Sequence, residues 1–331
     1  MKAARIDRFG GPEIFNVIDL PTPEVGPRQI LVRVAACGVN FAETKLRQNK
    51  FYPISLPIVL GSEVAGTVEA VGSEVNEFGI GDRVAAPMFA DASRSGGYAE
   101  LAVGHADTAV RLPDNLSFDD AVAAMAQGLT ALYMVKTNDV AGKRVLITSA
   151  AGGVGSWLIQ LCRQAGAKTI VGAVSSDAKF QTVLDLGASA AINYGIQGWT
   201  DAAREHFDGH GPDIIFEGAG GAVIPQCLEM LENFGKFILY SSRTIDDLSI
   251  GSAEAMGLNF KNQSIVGFSL AGFSSPRHVR DGLSELYELV AQGSVRTIIG
   301  GRYPLDRIAD AHRALESRET IGKILLTIGQ N

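Results

Sequence analysis

The sequence predicts an α/β protein in which a β-rich module precedes a parallel sheet with helical crossovers. Residues 1 to about 120 contain short strand-like segments interrupted by glycine and proline, which is typical of an all-β module. Residues 145 to about 266 instead alternate strand-like and helix-like segments, the pattern of a parallel sheet. A glycine-rich segment at the start of this second region supports the same class. The chain has 331 residues, enough for two such domains.

The first module is a barrel-like series of short strands followed by a helix. Turn-forming residues separate the strands, as in Pro21–Pro23 and Gly79–Asp82. The pattern changes at Ser117, a suitable N-cap for an apolar helix from Ala121 to about Val135. The strands predicted in this module include Ile30–Val34, Val64–Val71 and Asp82–Ala85.

The second module contains six predicted strands, and a tail of mixed elements follows it. The strands are Val145–Thr148, Thr169–Val174, Ala190–Asn193, Ile214–Phe216, Lys236–Tyr240 and Gln263–Gly267. The tail contains a helix around Val279–Ala291, a strand at Arg296–Ile299, a helix at Arg307–Glu316 and a strand at Lys323–Ile328. Periodicity does not decide whether this tail extends the second module or returns to the first.

The segment Ala150–Gly155 (AAGGVG) is the clearest functional motif. It joins the apolar run Val145–Thr148 to a helical pattern that continues from Trp157. A strand, a glycine turn and a helix in this order form a pyrophosphate cradle, because glycine allows close approach and the helix N-terminus attracts the anion. A purely structural turn is the alternative, but the flanking elements favour dinucleotide binding. The expected contacts are Ala151, Gly152, Gly153 and Val154.

The residues after the second strand indicate which nicotinamide cofactor is bound. An NAD-binding unit places an acid about 20 residues beyond the glycine loop, and that position falls at Val174. Ser175, Ser176 and Lys179 follow and are able to donate to a 2′-phosphate. Asp177 would repel the phosphate if it pointed inward, but an acid at a helix N-terminus usually faces solvent. The pattern favours NADPH.

Composition excludes several other classes of partner. The net charge is −7 and no basic stripe is present, so we expect no nucleic-acid partner. No apolar run approaches the roughly 20 residues that span a bilayer, so we expect no membrane insertion. Three scattered cysteines and the lack of a secretory leader predict a reducing, cytoplasmic location without a CxxC metal site.

Motifs along nearly the whole chain resemble those of one enzyme family. They are Gly38–Phe41 (GVNF), Tyr52-Pro53, Gly61–Gly66 (GSEVAG), Val68–Gly72 (VEAVG), Gly79–Val84 (GIGDRV), Gly97–Glu100 (GYAE), Ala150–Gly155, Ile192–Tyr194 (INY) and Ala311–Arg318 (AHRALESR). The chain thereby resembles the zinc-independent quinone oxidoreductases, the zeta-crystallin-like branch of the medium-chain dehydrogenase/reductase superfamily.

This resemblance implies a domain organisation and an assembly. Residues 1–121 and 267–331 would form a GroES-like catalytic domain, and residues 122–266 a Rossmann domain that binds NADPH. The tail would thus fold back onto the first domain, and the active site would be the cleft between the two. The resemblance also implies a homodimer through the Rossmann sheet edge, near Ile265–Leu270.

The resemblance places the zinc-ligand positions of metal-dependent relatives at Asn40, Ser62 and Gln127. None of these side chains is a thiolate or an imidazole, which are the ligands that Zn²⁺ prefers in such sites. Among the five histidines only His206 and His210 are four residues apart (HFDGH), and no HxH or HExxH spacing is present. We therefore expect no metal.

The family pattern also suggests site residues. Asn40 and Tyr52 would flank the cleft as catalytic groups, with Asn40 also contacting the cofactor. The Tyr52 phenol would hydrogen-bond the acceptor oxygen or protonate an enolate, but it could instead pack beside Pro53 or hold the cofactor ribose. The other positions that resemble cofactor contacts are Thr130, Tyr194, Arg318 and Lys323.

These residues favour an NADPH:quinone or enone oxidoreductase with a small-molecule acceptor. Without a metal, the site suits hydride addition to an electron-poor conjugated carbonyl rather than alcohol oxidation. Lys45 stands where some quinone reductases carry tyrosine, and Gln127 where many carry lysine, so these departures bear on the acceptor rather than on the fold. The alternatives are a 2-enoyl-thioester reductase and an NADPH-binding crystallin- or adaptor-like protein with little turnover.

Overall fold

The computed structural model describes residues 1–91, 94–241 and 248–329, which form two compact units. The β-rich unit comprises Met1–Leu129 and Leu270–Asn331, and the parallel-sheet unit comprises Thr130–Ser269. The tail whose placement periodicity left open therefore belongs to the β-rich unit. Each unit contains its own cluster of buried apolar side chains.

The described residues form sixteen strands and ten α-helices. The strands are β1 (Lys2–Ile6), β2 (Asn16–Asp19), β3 (Gln29–Val39), β4 (Ile58–Val59), β5 (Val64–Val71), β6 (Arg83–Ala86), β7 (Leu101–His105), β8 (Val110–Arg111), β9 (Arg144–Thr148), β10 (Thr169–Val174), β11 (Ala190–Asn193), β12 (Ile214–Glu217), β13 (Lys236–Leu239), β14 (Ser264–Gly267), β15 (Ile299–Pro304) and β16 (Lys323–Thr327). The helices are α1 (Phe41–Arg47), α2 (Phe118–Ala124), α3 (Ala126–Thr137), α4 (Gly153–Gln164), α5 (Phe180–Asp185), α6 (Trp199–Glu205), α7 (Val223–Met230), α8 (Ser252–Phe260), α9 (Pro276–Ala291) and α10 (Ile308–Glu316). Within the described part of the chain, no helix has the length and apolar character needed to cross a membrane.

The β-rich unit contains two sheets, and the long strand β3 lies at the centre of the larger one. A seven-stranded sheet has the order β15-β16-β3-β5-β6-β8, with β7 also pairing with β3. A three-stranded sheet has the order β2-β1-β4. The strands of the first sheet alternate in direction except for β15 and β16, which are parallel. The region is therefore β-rich, but it is not all-β as predicted, because α1 lies between β3 and β4. β3 extends beyond the predicted Ile30–Val34 at both ends.

The tail enters this sheet through its last strand. β16 pairs antiparallel with β3, so that Ile324 faces Val39 and Thr327 faces Ala36. The strand predicted at Arg296–Ile299 is displaced, because the structure places β15 at Ile299–Pro304. Gly300 occupies a bulge where a Cβ atom would lie 1.8 Å from the carbonyl oxygen of Ile321. The absence of a side chain at Gly300 therefore permits the pairing of β15 with β16.

The parallel-sheet unit confirms the predicted fold class. Its strands have the order β11-β10-β9-β12-β13-β14, and every pair in the sheet is parallel. Renumbered from β9, this is the 3-2-1-4-5-6 order of a doubly wound dinucleotide-binding sheet. The order reverses between β9 and β12, and ligands of such sheets bind beyond the carboxyl ends of the strands at that point.

The single helix predicted from Ala121 to about Val135 is two helices, α2 and α3. Ser117 caps α2 as predicted, because its Oγ accepts a hydrogen bond of 3.1 Å from the Asp120 backbone N–H. The break falls at Met125, where ψ is −98°. It turns the Ala126 N–H toward the Glu63 carboxylate at 2.9 Å. A tertiary contact that local sequence does not encode therefore interrupts the helix.

That carboxylate belongs to a buried ion pair at the centre of the β-rich unit. Glu63 lies just before β5 and Lys323 begins β16, and their side chains are 0% and 1% exposed. Asn40 links both, because its Nδ2 donates to Glu63 Oε1 at 2.9 Å and its Oδ1 accepts from Lys323 Nζ at 2.6 Å. Lys323, which the family pattern suggested as a phosphate contact, is instead enclosed in this pair. Four separate segments are thereby joined by one charge-assisted network.

We predict that Lys323→Met lowers the free energy of unfolding by about 3–5 kcal/mol, because it leaves the Glu63 carboxylate buried without a countercharge. Glu63→Gln combined with Lys323→Met removes both charges and should recover a large part of that loss. Urea unfolding provides the measurement, fitted so that the two units can unfold separately.

Lys168→Met is the matched control, because Lys168 has 58% of its side chain exposed beside Asp208 and should change stability by less than about 1 kcal/mol. A double variant as unstable as Lys323→Met alone would show that lost packing, rather than the uncompensated charge, causes the destabilisation.

Candidate functional site

The candidate site in the β-rich unit begins where β3 ends. Asn40 follows β3 with extended backbone angles and is the N-cap of α1. Glu43, three residues later, returns its carboxylate to the Asn40 backbone N–H at 2.6 Å. This is the reciprocal arm of a capping box, so the turn that positions Asn40 is fixed by local sequence.

Glu43 is a fully buried carboxylate with several donors. Its Oε1 accepts from both the backbone N–H and the hydroxyl of Ser62, at 2.9 and 2.7 Å. Its Oε2 accepts from the phenol of Tyr98 at 2.6 Å, in addition to the Asn40 N–H. Burial raises the pKa of Glu43, and the hydrogen bonds oppose that shift. Glu43 therefore holds the Asn40 and Ser62 segments together through hydrogen bonds to its carboxylate.

The Asn40 side chain is occupied by protein contacts on both sides of its amide. In addition to the short bonds with Glu63 and Lys323, its Nδ2 lies 3.4 Å from Ser62 Oγ. The second Nδ2 hydrogen, which points toward Ser62, is thus the weaker contact of the two. The structure brings Asn40 and Ser62 together, as the family pattern implied, and holds the amide in one orientation.

The third position that the family pattern assigned to a zinc ligand is Gln127, which lies on α3. Its Oε1 is buried and has no hydrogen-bond partner among the residues that the structure describes. The same described residues contain no group of three or more histidine, cysteine or acidic side chains able to hold a metal ion. Cys37, close to Asn40 in sequence, is fully buried, and burial raises the pKa of its thiol.

Tyr52 lies in the loop after α1 and packs against the core of the β-rich unit. Its ring is half-buried, 5.1 Å from the Phe51 ring, and the guanidinium carbon of Arg94 lies 5.7 Å from its centroid. Burial raises the pKa of the Tyr52 phenol, Arg94 opposes this shift and the charge of Glu43 adds to it. No hydrogen bond joins Tyr52 to Asn40 within the described residues, but Glu43 acts on both.

Tyr98 connects Glu43 to a further buried polar group, His312 on α10. The phenol oxygen of Tyr98 lies 3.2 Å from Nε2 of His312. Burial, together with the charge of Arg47, lowers the pKa of His312 to about 3, so this imidazole is neutral at physiological pH. The sequence analysis did not assign Glu43, Glu63, Tyr98 or His312 to the site. The capping-box spacing of Asn40 and Glu43 was the one local signal that could have found a member of this group.

The glycine segment of the parallel-sheet unit fits a pyrophosphate. α4 begins at Gly153, and Gly152 is its N-cap without a side-chain hydrogen bond. A Cβ atom on Gly155 would lie 2.4 Å from the carbonyl oxygen of Ser149, so a larger residue there would push the helix away from the loop. Ala151 is buried, and Gly152, Gly153 and Val154 are partly exposed. The uncapped N–H groups therefore present the anion-binding end of a helix.

The carboxyl end of β10 holds the predicted phosphate contacts. Lys179 is only 9% exposed, and its Nζ donates to Ser175 Oγ at 3.1 Å. The Asp177 carboxylate has a partner of its own, because its Oδ1 accepts a hydrogen bond from Asn193 Nδ2 at 2.7 Å. Tyr194 follows β11, and its backbone N–H donates to the Val174 carbonyl at 3.0 Å. The structure thus groups the ends of β10 and β11, with Ser176 partly exposed between them.

Thr130 and Arg318, which were also predicted to contact the cofactor, belong to different units. Thr130 is half-buried on α3 and belongs to the parallel-sheet unit. Arg318 follows α10 in the β-rich unit, is exposed, and adopts the left-handed region with a φ of 65°.

Glu217 is a site residue that the sequence analysis missed. It ends β12 beside the point where the strand order reverses, and it is 0% exposed. Its Oε1 accepts from the Ala219 and Gly220 backbone N–H groups at 2.9 and 3.0 Å and from the hydroxyl of Thr148 at 3.1 Å. The carboxylate thereby shapes the loop at the edge where doubly wound sheets bind ligands.

Two family models match the chain. Residues 26–114 match the alcohol dehydrogenase GroES-like domain, and residues 186–326 match the model described as zinc-binding dehydrogenase. Despite the second description, Asn40, Ser62 and Gln127 occupy the positions that the family pattern assigns to zinc ligands.

Known proteins match over nearly the whole chain. A quinone oxidoreductase of Pseudomonas aeruginosa is 32% identical, with 98% of this chain and 99% of that protein covered. A 2-haloacrylate reductase of Burkholderia sp is 31% identical, with 98% of each covered. The crystal structure of Escherichia coli quinone oxidoreductase complexed with NADPH superposes with a TM-score of 0.90 at 30% identity, covering 99% of this chain and all of that one. With both family models, these matches show that the chain belongs to the zeta-crystallin-like, zinc-independent quinone oxidoreductase branch of the medium-chain dehydrogenase/reductase superfamily.

Proposed function

We propose that this protein is an NADPH-dependent quinone or enone oxidoreductase. The observation that carries the proposal is the uncapped glycine turn of α4 together with the Lys179–Ser175 pair at the end of β10. The first suits a pyrophosphate and the second suits a 2′-phosphate, as expected for NADPH. The relative that was crystallised with NADPH supports this choice of cofactor.

When bound, NADPH supplies a hydride from its C4 atom. The chain's own task is to place an electron-poor acceptor and to stabilise the charge that the acceptor gains. Tyr52 suits this task because its phenol keeps its proton at neutral pH and is a hydrogen-bond donor. Asn40 is fixed by Glu63 and Lys323 and offers its more weakly engaged Nδ2 hydrogen. These roles need no metal, and we propose that the enzyme works without zinc.

Lys179 gives a test of the cofactor assignment. Lys179→Ala should weaken NADPH binding by about tenfold or more, because a charge-assisted phosphate contact contributes roughly 1.5–3 kcal/mol. NADH lacks the 2′-phosphate and should bind nearly as it does to the unchanged protein. Fluorescence titration of both cofactors measures the two dissociation constants.

Lys168→Ala is the control for removing one positive charge from the same unit, since Lys168 is exposed. Equal losses for NADPH and NADH in Lys179→Ala would assign Lys179 a structural role and remove the basis for the NADPH preference.

Tyr52 gives a test of the chemistry and of the acceptor class. We expect rapid loss of NADPH absorbance in stopped flow with quinones and enones, and slow loss with crotonyl-CoA. Tyr52→Phe keeps the ring and removes the hydroxyl, so enone turnover should fall by about 10²-fold or more if the phenol protonates the reduced acceptor. A quinone should lose less, because its hydroquinone anion can be protonated later by water.

NADPH affinity is the control in this experiment and should change little in Tyr52→Phe. Unchanged enone turnover would remove Tyr52 from the mechanism, and a large loss of NADPH affinity would reassign it to cofactor binding. Faster turnover of crotonyl-CoA than of quinones would favour a 2-enoyl-thioester reductase. Binding of NADPH with no turnover of any acceptor would favour a crystallin- or adaptor-like role.

The name of the Burkholderia relative adds one acceptor class to this panel. A 2-haloacrylate is a small unsaturated acid whose double bond is electron-poor. We therefore include small unsaturated acids beside the neutral quinones and enones.

We also propose a homodimer formed through the edge of the parallel sheet. β14 is the last strand of that sheet, and the preceding helix α8 exposes two large apolar side chains on one face. Met256 is 58% exposed and Phe260 is 77% exposed. A second copy pairing at β14 would cover them, as exposed apolar patches commonly mark association sites.

Replacing Met256 and Phe260 together by glutamine should shift the protein toward the monomer, measured by size-exclusion chromatography with light scattering. Ile80→Gln is the control, since Ile80 is 76% exposed but lies in a turn of the β-rich unit. A single mass equal to that of one chain for the unchanged protein would refute the dimer.

A cytoplasmic location is part of the same proposal. Cys37, Cys162 and Cys227 are all buried, unpaired thiols. A reducing compartment keeps such thiols in that form.

A further inference from the structure

Arg94 of the β-rich unit lies against an aromatic ring rather than against a carboxylate. Its guanidinium carbon is 5.7 Å from the centroid of the Tyr52 ring, whereas Arg28, Arg33 and Arg302 each pair with a carboxylate. Within the described part of the chain, no ion pair joins Arg94 to an acidic side chain. The Arg94 side chain is exposed, so its charge remains available to a ligand.

Described residues before and after Arg94 are hydrogen-bonded to the Gly61–Ser62 segment of the candidate site. Before Arg94, the Phe89 N–H donates to the Ser62 carbonyl at 2.7 Å. After Arg94, the Gly97 N–H donates to the Gly61 carbonyl at 2.9 Å. Gly61 and Ser62 directly precede the buried Glu63. Arg94 is therefore held near the segment that also positions Asn40, and its contact with Tyr52 is consistent with this placement.

We propose that Arg94 is a specificity-determining residue that selects acceptors carrying an anionic group beside the conjugated system. The proposal rests on the proposed function, in which Tyr52 faces the acceptor. A planar guanidinium binds a carboxylate or sulfonate through two parallel hydrogen bonds, and it also stacks against aromatic faces. An acceptor whose carbonyl meets the Tyr52 phenol would place a neighbouring anionic group on Arg94.

The anionic group takes no part in the redox step. The acceptor gains two electrons and one proton as a hydride from NADPH, and NADP⁺ is formed. The resulting oxyanion gains its second proton from Tyr52 or water, and the carboxylate or sulfonate leaves with its charge unchanged. Arg94 therefore affects which acceptor is bound rather than what is transferred.

The test compares two acceptors that differ in one anionic group. We use 1,2-naphthoquinone-4-sulfonate and 1,2-naphthoquinone with the unchanged protein, Arg94→Gln and Arg94→Lys. In Arg94→Gln, kcat/KM for the sulfonate should fall by about tenfold or more, mainly through KM, because a charge-assisted contact is lost. The value of kcat/KM for the neutral quinone should change by less than about twofold. Arg94→Lys should retain part of the preference for the sulfonate, because the lysine ammonium still supplies a positive point charge.

Arg277→Gln is the matched control for net charge. Arg277 is 90% exposed on α9 and pairs with Asp281 at the surface, so its removal should leave the ratio of the two acceptors unchanged. A similar drop for the sulfonate in Arg277→Gln would show that the effect is general electrostatic attraction and would overturn the proposal.

Calorimetry with naphthalene-2-sulfonate provides a readout that does not require turnover. This inert anion should bind the unchanged protein about tenfold more tightly than it binds the Arg94→Gln variant. Unchanged binding and unchanged sulfonate kinetics in Arg94→Gln would overturn the proposal. Equal losses for both quinones would instead show that Arg94 only orients Tyr52, and a raised KM for NADPH would assign Arg94 to the cofactor.

The proposed function and the proposed role of Arg94 are distinguished by different results. If the unchanged protein reduced neither quinone, the proposed function would be wrong, and calorimetry alone would decide whether Arg94 binds anions. If it reduced the neutral quinone well and the sulfonate no better after correction for redox potential, with Arg94→Gln behaving the same, only the inference about Arg94 would be wrong.

Discussion

The buried pair of Glu63 and Lys323 is the constraint on which the β-rich unit depends. It joins the start of β5 to the start of β16 at positions with essentially no exposure to water. Two opposite charges can be buried together only if their remaining hydrogen-bonding capacity is also satisfied. Asn40 and the Ala126 N–H satisfy it, so the end of β3 and the break between α2 and α3 are drawn to the same point. The C-terminal strand is thereby committed to this unit.

This arrangement also explains how a site can keep its shape without a metal. In a zinc enzyme the ion itself holds its ligands in a fixed geometry. Here Asn40 and Ser62, at the corresponding positions, are held by two buried carboxylates instead. Glu63 fixes the amide of Asn40, and Glu43 fixes the hydroxyl and backbone of Ser62. Preorganisation of this kind matters for a reaction in which the chain contributes orientation and hydrogen bonds rather than a Lewis acid.

In the parallel-sheet unit, the main structural requirement is close approach of α4 to the loop that follows β9. Gly155 lets α4 begin close against the loop that follows β9, which leaves the helix N-terminus suited to an anion. Glu217 performs the matching task at β12 by holding the loop Gly218–Gly220 with its carboxylate. Lys179 is held by Ser175 while Asp177 is bound by Asn193, so the acid that seemed to oppose a phosphate has a partner of its own. The cofactor-binding edge is therefore built from backbone geometry and a few short polar contacts.

The sequence by itself determined the features that local rules encode. The six parallel strands, the Ser117 cap and the glycine turn were predicted correctly because hydrophobic periodicity, capping and turn chemistry act over a few residues. Only the tertiary structure decided that the tail pairs with β3, that β15 begins at Ile299 with Gly300 in a bulge, and that Met125 divides a helix. It also decided that Lys323 is enclosed with Glu63 rather than free for a phosphate. Local rules do not reach these outcomes, because each depends on a partner that is distant in sequence. The break at Met125 and the burial of Lys323 both depend on Glu63, which bonds the Ala126 N–H across 63 residues and pairs with Lys323.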